Sequence, residues 1–418
     1  MTTLERHLGV RGAVVVGLAA MIGAGVFYVW APAAAAAGPA LLIGLVIAGV
    51  VASLNALSSA QLAMAYPVSG GAYAFGRAAL GPWWGFAAGW LFLAGKTASA
   101  GAIALVAGSN LWPDAARPVA VAAVVVLGAL NLAGIRATAR ASGIVVSVVI
   151  SGLLVVIAVA AFRGPVGGHA DLSGGGSLSD PGWYGVLQSA GLLFFCFAGY
   201  ARMATLAEEV RDPQRTLPRA IGAALAITLA LYAAIGVLCV TILGPDALAA
   251  SVSPLADLLG GSEPWTGLAR AVAGVACLGS LLGILAGLSR TGFAMARNGD
   301  LPGALSRISA RTSSPVAAEV TMGLASVTGI LLLDPSQLVG FSACSVLAYY
   351  GIAHLAALRQ PLQGRWLPRT VQYAGLGGCL LLAVTLPWHG VLAAAGWLVV
   401  GLLLRGVHTT RRPPASAA

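Results

Sequence analysis

From residue 12 to residue 405 the chain is a succession of apolar runs, each about as long as a bilayer is thick. A helix needs about 20 apolar residues to cross the hydrocarbon core. Windows of that kind fall at about 12–37, 41–65, 83–111, 118–134, 142–162, 183–206, 217–243, 266–296, 316–333, 336–358, 371–387 and 389–405. The break at Pro387-Trp388-His389 is the weakest, and the last run is short. Of the 418 residues, 59% are hydrophobic and 9% charged, against about 25% charged in a soluble domain. No soluble fold of this size buries so much apolar surface behind a wettable exterior. The expected fold class is an all-α integral membrane protein of about 12 transmembrane helices, with the lipid bilayer as its solvent.

The net charge of +10 follows from that frame. The basic residues sit in short spacers between apolar runs, which fits membrane orientation and not nucleic-acid binding. With a cytoplasmic N-terminus, 17 arginines fall in cytoplasmic segments, among them Arg77, Arg136, Arg215, Arg297, Arg365 and Arg405. Only Arg117, Arg163 and Arg270 fall opposite. The expectation is a multi-pass protein of the cytoplasmic membrane with both termini inside. The stretch after Arg6 and Arg11 ends in "APAAAAAG" and imitates a signal peptide, but it is too long and a second run follows at once. It reads as an uncleaved first span.

Other function classes lack their chemistry. The five cysteines all lie in apolar runs, with no metal or disulfide spacing. The five histidines, His7, His169, His354, His389 and His408, are scattered without acids or cysteines at useful spacing. The glycine-rich stretches lack a P-loop lysine and its strand–turn–helix context. An enzyme, an ATP-driven pump and a metal or organic cofactor are therefore not expected.

Residues 163–182, "RGPVGGHADLSGGGSLSDPG", read as a linker between two five-helix halves, 12–162 and 183–358, with spans 371–405 peripheral. Each half opens on a helix with glycine at mid-depth, in "MIGAGVF" and "FFCFAGY". Glycine weakens a helix interior by roughly 1 kcal/mol relative to alanine. Interrupted helices at corresponding places in two halves point to a transporter built from inverted repeats.

Four stretches carry a resemblance. "GAGVF" at 23–27, "YPVSGGAYAFGRAALGP" at 66–82, "FFCFAGYARMATLAEEVRDPQRTLPRAI" at 194–221 and "LSRTGFAMARNGDLP" at 288–302 resemble motifs of the amino acid–polyamine–organocation superfamily. They follow that family's order over about two-thirds of the chain. The resemblance implies a 5+5 inverted-repeat fold of the leucine-transporter type with two peripheral helices. It implies alternating access around a central site, and an amino acid or close relative as substrate. Secondary active transport, driven by a proton gradient or by exchange, is the expected function; an exporter, an amine or metabolite carrier, and a transport-inactive sensor of the same fold are the alternatives.

The physics of such a site follows from helix ends. A broken helix exposes N–H groups at the start of its second half, suited to a carboxylate, and carbonyls at the end of its first half, suited to an ammonium. Gly23, Ala24 and Gly25 are the expected carboxylate donors, and Met21 and Ile22 the expected carbonyls. Phe195, Cys196, Phe197, Ala198 and Gly199 form the second break, with Phe195 and Phe197 placed to cover the substrate. All 13 Asp and Glu residues fall in loops or at span ends. A cationic side chain on the substrate would meet no counter-charge, at a desolvation cost of several kcal/mol, so a neutral amino acid is expected. Many family members carry an acid where this chain has Ala201. The next residue, Arg202, is a gating candidate, with Glu208 and Glu209 nearly two turns away.

One residue resists all of this. The chain has 22 arginines and a single lysine, Lys96, in the middle of the third span. A charge at mid-membrane costs roughly 2.5–3.5 kcal/mol on insertion scales and marks a functional site by default. Burial disfavours the charged form of an amine, which makes Lys96 a candidate to bind and release a coupling proton. Snorkelling to an interface or a structural cation held near Thr97 and Ser99 are the other readings. Relatives of this fold brace the first helix with a sodium ion or a lysine, in some cases from the fifth helix. The fifth helix here has no cation, so Lys96 is expected to reach the broken first helix or the site.

Overall fold

The computed structural model describes residues 9–66, 70–133, 135–164, 182–200, 210–260, 263–309, 314–361 and 365–410. Arg202, Glu208, Glu209 and most of the 163–182 linker lie outside them. The described chain is all-helical. The first span comes in three pieces, α1 (Val10–Met21), α2 (Gly25–Tyr28) and α3 (Trp30–Ala37). The second is α4 (Leu41–Ala65); α5 (Ala72–Leu80) follows in the connection, and α6 (Pro82–Leu111) is the third span. Then come α7 (Ala116–Leu132), α8 (Ile135–Arg163) and α9 (Gly182–Phe197). The second half continues with α10 (Pro213–Leu238), short α11 (Pro245–Ala250) and α12 (Pro254–Asp257), and α13 (Trp265–Arg297). It closes with α14 (Val316–Leu332), α15 (Pro335–Arg359), α16 (Arg369–Thr385) and α17 (Trp388–Thr410).

Ten helical stretches are long and apolar enough to cross a bilayer. The helices α14 and α16 have 17 residues each, about 26 Å at 1.5 Å per residue, the short end of what spans. They occupy the expected ninth and eleventh positions. Local chemistry sets the boundaries. Gly38, at φ 52°, turns the chain between the first two spans and is followed by Pro39. Gly81, at φ 101°, and Pro82 at the first position of α6 start the third span where a missing N–H costs nothing. The stretch at 66–82, expected as a loop, contains α5. Its "AYAFGRAAL" is free of proline and buries Tyr73 and Phe75, so packing turns it into a helix.

Ion pairs at the two ends of the bundle sort the connections by side. Asp300, just after α13, accepts hydrogen bonds from Arg77 (3.0 Å) on α5, Arg405 (2.6 Å) on α17 and the Tyr73 hydroxyl (2.8 Å). The Arg405 guanidinium lies 4.7 Å from the Phe86 ring centroid and 5.2 Å from that of Trp83, which adds cation–π attraction. Burial, then the bond to Asp300, holds the Tyr73 hydroxyl protonated well above the usual tyrosine range. At the other end Arg117 donates to Asp334 (3.0 Å) and to the Leu331 carbonyl (2.8 Å). Arg77 and Arg405, expected on one side, meet; Arg117, expected on the other, is paired apart from them.

Asp300 and Arg405 expose only 5% and 7% of their side chains. Removing one partner of a buried pair strands the other, at about 3–5 kcal/mol. Asp300→Ala should lower the melting temperature in detergent clearly more than Asp334→Ala, whose pair is 46% and 67% exposed. Equal effects of the two substitutions in a thermal melt would contradict this account.

Candidate functional site

The two glycine-marked helices are broken where expected. The helix α1 ends at Met21, Ile22 leaves helical geometry, and the Gly23 N–H closes a tight turn on the Met21 carbonyl (3.0 Å). The helix α2 then starts at Gly25. The helix α9 ends at Phe197 and tightens into a 3₁₀ turn over Ala198–Tyr200. The two breaks touch. A Cβ at Gly25 would stand 2.9 Å from both Cα and Sγ of Cys196, and one at Gly199 would overlap the Ala20 carbonyl. Gly23 backs onto Ser280 of α13 just as closely. These glycines are there because nothing larger lets two interrupted backbones cross at contact distance.

Broken backbone inside a membrane needs partners from the protein. Two side chains supply them. Lys96, on α6 and 8% exposed, donates from Nζ to the Ala198 carbonyl at 3.1 Å. The expectation offered the first helix or the site, and the structure selects the second break. The other side chain is Tyr232 of α10, which sequence reasoning missed. Its hydroxyl lies 2.8 Å from the Met21 carbonyl and 3.3 Å from the Cys196 carbonyl. One phenol therefore bridges the carbonyl ends of both breaks. A tyrosine in mid-span was the available signal, because a buried hydroxyl has to find an acceptor.

The remaining expected residues take definite places. Ile22 and Ala24 are buried beside the first break. The Met21 carbonyl already accepts from Tyr232 and Gly23, so both its lone pairs are used. Ile22 is then the first-break carbonyl left for an ammonium. Phe197 packs edge-on against Tyr232, with ring centroids 5.2 Å apart. Phe195 is buried and does not share in that contact. An open depression lined by Tyr28, Pro32, Gln188, Leu192, Ser336 and Val339, among others, approaches from one end. Tyr28 belongs to the helix that starts at the first break, and Leu192 lies one turn before Phe195. The two breaks are buried, and the depression lies against the helices that carry them.

Removing the Tyr232 hydroxyl leaves two buried carbonyls short of a donor, at about 1–3 kcal/mol. Tyr232→Phe keeps the ring contacts, so it should lower both melting temperature and transport without preventing folding. Wild-type transport in that variant would show that the bridge is dispensable.

Comparison with known proteins agrees with this geometry. The family model described as "Amino acid permease" matches residues 12–408. An uncharacterised transporter of Mycobacterium tuberculosis is 47% identical over 413 residues, covering 98% of this chain and 93% of the relative. A branched-chain amino acid permease of Bacillus subtilis is 28% identical, with 96% and 92% covered. A vacuolar cationic amino acid transporter of Arabidopsis thaliana is 30% identical, with 85% and 60% covered. These relatives are transporters and not enzymes. This multi-pass membrane protein is a transporter that belongs to the amino acid permease family.

Proposed function

We propose that the chain is a secondary active transporter that carries a neutral, small or apolar amino acid across the cytoplasmic membrane by alternating access, driven by protons. The observation that carries the reading is the Lys96 ammonium held on the Ala198 carbonyl, at the point where the two broken helices cross. The N–H groups at the start of α2, from Ala24 and Gly25, take the substrate carboxylate, and the Ile22 carbonyl takes its ammonium. Matched breaks within spans one and six, the first helix of each half, support the division into halves 12–162 and 183–358, related by inversion, with 371–405 outside them.

Lys96 is the coupling group on this reading. Protonated, it holds the second break in place. Neutral, it loses the charge-assisted part of that bond, and the break is freer to move. Arginine does not substitute, because its guanidinium does not release a proton. Arg202, which lies outside the described residues, stays a gating proposal.

The substrate class rests on the acids. Among the described residues no carboxylate stands at either break. Glu319 is buried in the first turn of α14, where Ser289, Asn131 and Arg290 are its neighbours. The B. subtilis relative, named for branched-chain amino acids, accords with a neutral substrate, whereas the name of the A. thaliana relative points the other way.

Two measurements decide between these. A thermal-shift screen of the purified protein against the 20 common amino acids should show stabilisation by neutral ones, since a ligand stabilises the state it binds. Shifts with lysine or arginine alone would overturn the substrate class. In proteoliposomes with an imposed pH gradient, Lys96→Ala and Lys96→Arg should each lose most gradient-driven uptake, at least 10-fold. Wild-type uptake in both would remove Lys96 from coupling.

A further inference from the structure

A second polar cluster lies buried away from the breaks, between α4, α15 and α16. Its centre is His354 of α15, fully buried. The Nε2 of His354 lies 2.7 Å from Oδ1 of Asn55 on α4, and its Nδ1 lies 3.1 Å from Oε1 of Gln372 on α16. Ser58 reaches the same Gln372 oxygen at 2.6 Å and the Leu54 carbonyl at 2.8 Å. The Cys379 thiol is 3.2 Å from Oδ1 of Asn55. Gly375 admits the imidazole, since any Cβ there would overlap the ring.

The pattern of donors and acceptors is informative. Both ring nitrogens face amide oxygens, which suits an imidazolium donating two N–H bonds. The amide nitrogens of Asn55 and Gln372 are sealed from solvent and have no partner among the described residues. The Gln372 amide can therefore turn over without breaking an N–H bond, whereas Asn55 is held by the Cys379 thiol and lies beside the Tyr200 hydroxyl. When Gln372 turns, its NH₂ meets Nδ1 of a neutral ring and the Ser58 oxygen, while Ser58 donates to Leu54. The same heavy atoms thus satisfy a neutral and a charged histidine, with Gln372 as the pivot.

The surroundings leave the proton to His354. The helices packed against α15 are α4, α5, α6, α9, α16 and α17, and none carries a carboxylate. Their titratable groups are Lys96 on α6; Tyr73 and Arg77 on α5; Tyr184 and Cys196 on α9; Tyr373 and Cys379 on α16, after Arg369 at its start; and His389, Arg405 and His408 on α17. Cys344, Tyr349, Tyr350 and Arg359 share α15 itself, and Arg365 donates to the Ala357 carbonyl one turn beyond His354. Of these, Cys379, Tyr349 and Tyr350 are the groups placed at the cluster.

A row of tyrosines runs from the cluster toward the level of Lys96. Tyr200 directly follows the second break and stacks on Tyr350 at 4.9 Å, and Tyr350 meets Tyr349 at 4.1 Å between centroids. The Tyr200 hydroxyl lies in interaction range of Tyr350 and Asn55. All three hydroxyls are buried without a well-formed bond. Tyr349 touches Phe92 edge-on, one turn from Lys96. A Cβ at Gly95 would stand 2.9 Å from Ser345 and Ser99 bonds to Ser342, so the two helices run antiparallel and His354 lies about 15 Å farther along α15 than the level of Lys96. On its other side the row continues through Ser58 to Gln61, bonded to Gln360 at 2.8 Å, near the end that carries Asp300.

We propose that His354, with Gln372 and Asn55, is a second proton-binding site, separate from the substrate site. It exchanges protons with the Lys96 level through Tyr200, Tyr350 and Tyr349. The proton adds to a ring nitrogen lone pair as the Gln372 amide turns its oxygen toward it, and no other bond changes. The exchange with Lys96 rests on the proton-coupled reading above; the binding of a proton at His354 does not.

The test is nitrogen-15 histidine NMR in lipid nanodiscs between pH 4 and 9. The chain should retain His354 and carry asparagine at the four other histidine positions. The ring should pass from neutral to imidazolium, also when Lys96→Ala is added, and Gln372→Leu should move the midpoint by at least one pH unit. A ring that keeps one protonation state throughout, or a midpoint indifferent to Gln372→Leu, overturns the site. In parallel, His354→Gln should keep the substrate-induced thermal shift and lose one limb of the pH profile of uptake. An unchanged profile in that variant overturns the link to Lys96. Titration of His354 in a protein whose uptake ignores the pH gradient upholds the site and removes the proton-coupled reading.

Discussion

Backbone polarity in a solvent that cannot hydrogen-bond is the constraint on which this protein turns. Two helices stop in mid-membrane, and each stop exposes carbonyls and amides that lipid cannot satisfy. The protein answers with one ammonium and one phenol. Lys96 holds the Ala198 carbonyl, and Tyr232 holds the Met21 and Cys196 carbonyls together. Two kinds of donor at one crossing divide the work. The phenol ties the two breaks to each other, and the amine holds the second one.

The close crossing sets the geometry around it. Gly25 against Cys196 and Gly199 against Ala20 bring the backbones into contact, so side chains fill the space beside the crossing and not within it. Phe197 is recruited to brace Tyr232, and Ser280 backs Gly23 from α13. Away from the crossing the same economy appears in reverse. Polar side chains in the second core are paired side chain to side chain, as with His354, Asn55 and Gln372, because the helices there are unbroken and offer no free backbone.

Much of this was legible in the chain. Apolar run length is a direct readout of bilayer thickness, so the spans and their order were readable to within a few residues. Glycine in mid-span marked both breaks, and the one lysine stood out because its cost in lipid is large. The partners were not legible. Lys96 and Ala198 are 102 residues apart, Met21 and Tyr232 211 apart, and His354 and Asn55 299 apart. Periodicity says that a residue is buried but not toward which helix it points. That is why Lys96 was offered the first helix or the site, and why Tyr232 was missed. The helix α5 was hidden for a related reason: its nine residues are stabilised by what Tyr73 and Arg77 touch, not by their own pattern.

The Asp300 cluster bears on how the molecule is made. Its aspartate and first arginine emerge early, but Arg405 lies 105 residues downstream on the last helix of the bundle. Helices enter the membrane in order of synthesis, and domains fold as their parts become available. Until α17 arrives, Asp300 has only the half-exposed Arg77 and Tyr73 for company, and the end of the bundle stays incompletely neutralised. Charge balance around Asp300 is therefore reached only once α17 has packed against α6 and α15.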